Sequence, residues 1–170
     1  MMNHDDGNTF PNKNKRKIRR IALVLLIIAA VVCFLAVSAA YVHTASSRLD
    51  TLNGKAHTVY NAIYTWQADC SELGTDAVLP PVTELQRGTD TAADSLTEKI
   101  RRYDTEITEI PYYRVQSDAD GKVTGVLVSQ RPINQTWRPD ATKQRHLLSS
   151  FFTAKKAIGY YSIVPDISYE

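Results

Sequence analysis

Chemistry in this chain would have to come from few places, since its 170 residues include four histidines, two cysteines and seven glycines. Zinc draws its ligands from short, ordered spacings of Cys and His. His43, His57 and His146 keep no such spacing with one another or with carboxylates, so they read as solvated side chains. Asp118-x-Asp120-Gly121 has the look of a calcium loop. Its Gly comes two places too early for the EF-hand pattern and no Glu follows at the required distance, so a tight hairpin turn accounts for it. Asp104, Glu106 and Glu109 cluster as a solvated loop face. No Gly-x-Ser-x-Gly elbow, phosphate-binding glycine loop or paired His-Glu motif occurs. The reading is a protein that is not an enzyme, with no catalytic, cofactor-binding or metal-binding residue.

The remaining candidates have structural readings beside their functional ones. Cys33 and Cys70 stand 37 residues apart, some 55 Å along a helix at about 1.5 Å per residue, and cannot bridge each other. Cys33 reads as a small packing or lipid-facing residue, and Cys70 either as buried or as paired with another chain. Asn134-Gln135-Thr136 is a glycosylation triplet that matters only in a eukaryotic secretory context. Tyr160, Tyr161 and Tyr169 suit a contact patch, with sheet core an equal reading for the first two.

The elements behind these residues begin with a membrane segment. Ile21 to Val42 reads IALVLLIIAAVVCFLAVSAAYV without a charge, and about 33 Å of helix matches a hydrocarbon layer of roughly 30 Å. The formal charge of +2 averages two unequal parts. Lys13, Lys15, Arg16, Lys17, Arg19 and Arg20 against Asp5 and Asp6 give +4 before residue 21, leaving −2 for the rest. An excess of Lys and Arg marks the cytoplasmic side of a span, so these six are the topology determinants and place the C-terminal part outside. A cleaved signal peptide is the rival, with Val37-Ser38-Ala39 and Ser38-Ala39-Ala40 as cleavage sites; the apolar run exceeds the usual signal length and favours an anchor. The organisation is then a cytoplasmic tail at 1–20, a transmembrane helix at 21–42 and an extracytoplasmic domain at 43–170. The bilayer is the first partner, and the balanced outer charge argues against nucleic acid.

Beyond the membrane, Val42, Ala45, Leu49, Leu52, Ala56, Val59, Ile63, Trp66, Cys70 and Leu73 alternate spacings of 3 and 4, one apolar stripe of a helix. Arg48, Asp50, Asn53, Lys55, His57, Asn61, Gln67, Asp69 and Glu72 give the opposite face to water, and Gly74 stops the helix. The spacing predicts a rod over 21–73, with Gly54 as its point of bending or local melting. The stripe suits either a coiled-coil seam or a helix laid on a sheet. Uneven side-chain size, with Tyr60 and Tyr64 widening the face, favours the sheet. Residues 74–90, with Pro80-Pro81, read as a loop. A short helix follows, capped by Asp90 or Thr91, with Asp94 in its first turn and Leu96, Ile100 and Tyr103 buried. Strands at 110–116 and 122–129 form a hairpin about Asp118-Ala119-Asp120-Gly121, with Gly125 marking a bulge and 157–165 a third strand. Residues 140–156 suit helix or irregular structure alike. The fold class is α+β, a long helix packed on a small antiparallel sheet.

This organisation resembles type IV pilins and pseudopilins. Lys55-Ala56-His57-Thr58-Val59-Tyr60-Asn61-Ala62 is similar to the outer helix half of Gram-positive pilin-like proteins, as are the hairpin from Asp120-Gly121-Lys122-Val123 to Ser129 and the ending Ile158-Gly159-Tyr160-Tyr161. The resemblance implies a cell-surface protein that acts by binding or assembly with other envelope proteins. Arg20 stands where the family's leader ends in Gly and Leu25 where it carries Glu, so the carboxylate that registers subunits is missing. An anchored accessory or sensor subunit is the alternative, and an anchored hydrolase a third. The oligomeric state stays open.

Overall fold

The structure, a computed structural model, describes residues 12–133 and 157–163. The readings for 140–156, for the Asn134 triplet, for His146 and for Tyr169 lie outside them. The chain divides into two units, Met1–Ala40 and Tyr41–Glu170, with helix α1 (Asn12–Glu72) assigned through both.

In the first unit, α1 starts nine residues before Ile21, so the basic run from Lys13 is helical. Lys and Arg are good helix formers, and neither Pro nor Gly occurs between Pro11 and Gly54. Its apolar side chains stand open, Leu26 at 70% and Phe34 at 68% exposure. The hydroxyl of Ser38 donates to the Phe34 carbonyl at 2.8 Å, which satisfies that polar group within the helix itself. The helix is long and apolar enough to cross a membrane and is compatible with a single-pass anchor.

In the second unit the stripe is a core face. Leu52, Ala56, Val59, Ile63 and Trp66 are buried in one cluster with Tyr113, Val115, Val126 and Val128 of the sheet, and Leu49 is buried further along. The helix therefore lies on a sheet, as the uneven residue sizes predict. Two positions depart from that pattern. Leu73 falls past the helix end and is 77% exposed, and of the two tyrosines only Tyr60 is buried, while Tyr64 remains on the surface. Cys70 is half-buried against the core. The helical assignment passes through Gly54 without a break. Nothing lies within 4 Å of where a Cβ would stand on Gly54, so Gly54→Ala is expected to stabilise this unit by about 0.5–1 kcal/mol, read as a raised midpoint of chemical unfolding.

The helix ends on a Schellman motif. Gly74 takes φ +67°, its amide donates to Ser71 O at 3.1 Å, and the Thr75 amide donates to Cys70 O at 2.8 Å.

The sheet has three antiparallel strands in the order β1 (Tyr112–Ser117), β2 (Val123–Ser129), β3 (Ile158–Ser162). The pairing runs from Tyr112 opposite Ser129 to Gln116 opposite Gly125, then shifts so that Ser117 faces Val123. The extra residue is Thr124, one place before the glycine expected to mark the bulge. Gly121 takes φ +74° in the hairpin turn, and the Asp118 carboxylate accepts from the amides of Asp120 and Lys122 at 3.0 and 2.8 Å.

Two elements differ from their sequence readings. Helix α2 is only Leu96–Arg101, capped by Ser95, whose hydroxyl accepts from the Glu98 amide at 3.1 Å. Ser95-x-x-Glu98 has the capping-box spacing, and it displaces Asp90, which instead accepts from the Ala92 amide in a turn. The loop at 74–90 is not idle, because it covers the outer edge of β1. The amides of Thr83 and Gln86 donate to Val115 O and Tyr113 O, and the Ser117 amide donates to Pro81 O. Two prolines hide this pairing from a pattern search, yet an edge strand needs such a cover.

Candidate functional site

Most of the expected surface features turn out to be structural. Val59, Ile63 and Trp66 are enclosed, so that face of α1 holds the domain together and is closed to a partner. Gln67 and Asn53, assigned by the pattern to the solvated side, are pegs. The Gln67 amide nitrogen donates to Ala77 O at 2.8 Å and Gly121 O at 2.7 Å, while its oxygen accepts from the Val123 amide at 3.0 Å. One side chain thereby ties the helix to the following loop and to the hairpin. Asn53 Oδ1 accepts from the Tyr160 amide at 2.9 Å and fixes β3 to the helix. No spacing rule finds such residues, since all their partners but Ala77 lie 54 to 107 positions away.

Chemistry is equally spent on structure. The Asp104 carboxylate caps a 3-10 turn at Thr105–Glu109 by accepting from the Glu106 amide, and Glu109 stands 4.0 Å from Lys55 at the surface. Thr97 donates its hydroxyl proton to Arg87 O at 2.8 Å, so in the 2.7 Å contact with Tyr113 the tyrosine is the donor. Burial raises the Tyr113 hydroxyl pKa well above the usual phenol value, which keeps that donor protonated. His57 is exposed and exchanges a 3.3 Å hydrogen bond with Asn61. Among the described residues no three of His, Cys, Asp and Glu are grouped to hold a metal ion.

What the surface does offer is a groove beside the exposed side of α1. It encloses about 300 Å³ between Tyr60, Tyr64 and Ser71 of the helix and Lys122, Thr124 and Ile163 of the sheet side. The rings of Tyr60 and Tyr64 lie nearly parallel at 6.3 Å, and Tyr161 of β3 tilts against both Tyr60 at 4.9 Å and His57 at 4.4 Å. Tyr161 is half-buried and packs against the core cluster. Burial, then the neighbouring Tyr161 and Tyr64, raises the Tyr60 hydroxyl pKa, so the phenol stays neutral. The groove joins the tyrosine faces and the apolar side chains of Ala68, Val123 and Ile163 with the polar residues Gln67, Ser71, Asp118, Lys122 and Thr124. It suits binding.

No protein-family model matches this sequence, and neither curated proteins nor solved structures give a significant match.

Proposed function

We propose that this chain is a membrane-anchored cell-surface protein of pilin-like build, with its N-terminus in the cytoplasm and its α+β unit outside. It acts by binding or assembly with envelope proteins rather than by catalysing a reaction. One observation carries the reading. A single helix supplies both an uncharged, exposed stretch of membrane-spanning length and the buried spine of a small antiparallel domain. The basic run before that stretch supports the orientation, and Leu25 in place of a carboxylate favours attachment in the bilayer over release into a filament.

The test is cross-linking in intact cells through a photoreactive phenylalanine analogue at Tyr64, on the open side of the groove. A discrete adduct with an envelope protein, recovered from the membrane fraction, is the expected result. Monomer alone, with the analogue also placed at Ala68, would contradict it. The groove also lends support to a second reading, an anchored accessory or sensor subunit with a ligand-binding outer domain. That version expects a cytoplasmic partner for the first 20 residues, lost when residues 1–12 are deleted with the basic flank Lys13–Arg20 kept.

A further inference from the structure

We propose that the basic segment Lys13–Arg20 is a binding surface for the anionic phosphodiester headgroups of membrane lipids, beyond its part in setting orientation. Six of these eight residues are Lys or Arg, and the helix assignment puts all of them on α1. The segment is therefore a fixed extension of the apolar stretch, about 10 Å of helix at roughly 1.5 Å per residue. That length covers a headgroup layer of about 5–7 Å and stays within the ~10 Å Debye length of a charged surface at 0.1 M salt. A flexible tail would disperse the same charge through a larger volume.

The sequence offsets these six charges only in part, with Asp5 and Asp6 before the helix. The first turn of α1 contains no acidic residue, and from Asn12 onward the first carboxylate is Asp50. Lys17, Arg19 and Arg20 are exposed, and the ion pairs of Lys55 with Glu109 and of Arg101 with Glu98 are formed elsewhere. Cations crowded at a helix start also oppose its dipole, a cost that anions from outside the chain remove. An anionic leaflet supplies them at the required depth, and each Lys or Arg near such a surface strengthens attachment about fivefold.

The inference rests on the membrane-anchor reading, and its test separates the two. The full chain is reconstituted in phosphatidylcholine bilayers, and the motionally restricted fraction of spin-labelled phosphatidylglycerol is compared with that of spin-labelled phosphatidylcholine. Selectivity for the anionic lipid of about three- to fivefold is expected. It should fall to about one in the Lys13→Gln, Lys15→Gln, Arg16→Gln, Lys17→Gln variant, which keeps Arg19 and Arg20 for orientation, and persist when the same lysines become Arg. Equal restriction of both lipids around the wild-type chain overturns the inference and leaves the anchor standing. Restriction of neither lipid overturns both. Full loss of selectivity in millimolar inorganic phosphate at constant ionic strength assigns the site to a free anion and overturns the lipid.

Discussion

Replacing Gly159 with alanine should destabilise the α+β unit by about 1–3 kcal/mol, the range of overpacking and backbone displacement in a close-packed core. A Cβ on Gly159 would overlap the carbonyl carbon and oxygen of Leu52, and those are backbone atoms of a helix that cannot turn aside. β3 would have to leave the helix, taking with it the 2.9 Å bond from the Tyr160 amide to Asn53 and the Tyr161 contacts with Tyr60 and His57. Unfolding of the full chain in mild detergent, followed by tryptophan fluorescence, should show the loss as a lowered midpoint. Gly54→Ala in the same helix should move the midpoint the other way. An unchanged midpoint for Gly159→Ala would mean that β3 does not dock at Leu52.

Gln67→Leu should cost a comparable ~2–4 kcal/mol, because it removes three hydrogen bonds and leaves Ala77 O, Gly121 O and the Val123 amide without this partner. Gln67→Glu sharpens the test. A carboxylate still accepts from the Val123 amide but turns negative oxygen toward two carbonyls. The loss should be large at neutral pH and smaller at pH 4, where protonation restores one donor. Burial among carbonyls raises the folded-state pKa of such an introduced acid above its unfolded value, so its folding penalty grows as pH rises through the carboxylate range. Equal destabilisation of Gln67→Glu at both pH values would contradict the hydrogen-bond assignment.

Local regularities carried most of the fold in the sequence. The 3-4 stripe from Ala45 to Trp66 marked the buried helix face, the β-branched run after Gly121 marked β2, and Ile158-Gly159-Tyr160-Tyr161 marked β3. Each is a period set by backbone geometry, and each survives without knowledge of the partner. The rest depends on partners distant in sequence. Gln67 and Asn53 look like solvent-facing residues until the hairpin and β3 are placed beside them. The pairing of residues 81–86 with β1 has no pattern of its own, because the segment answers to an exposed strand edge rather than to a periodic core. Ser95 illustrates a different miss. Its capping-box spacing to Glu98 is visible in the sequence, yet the Asp and Thr residues upstream compete for the same role and only packing of Leu96 and Ile100 selects among them. The groove at Tyr64 was legible only as an excess of tyrosine on the helix, since its other wall comes from the hairpin and the end of β3.

The proposed function requires the basic segment and the α+β unit to lie on opposite sides of one membrane. Labelling of single-cysteine variants in intact cells tests this most directly, in a chain whose Cys33 and Cys70 have been changed to Ser. A membrane-impermeant maleimide should label Ala93→Cys, an exposed position of the outer unit, and should reach Asn14→Cys only after the cells are permeabilised, with both chains in the membrane fraction. Labelling of Asn14→Cys in intact cells, or an outer unit recovered free of the membrane, would contradict it.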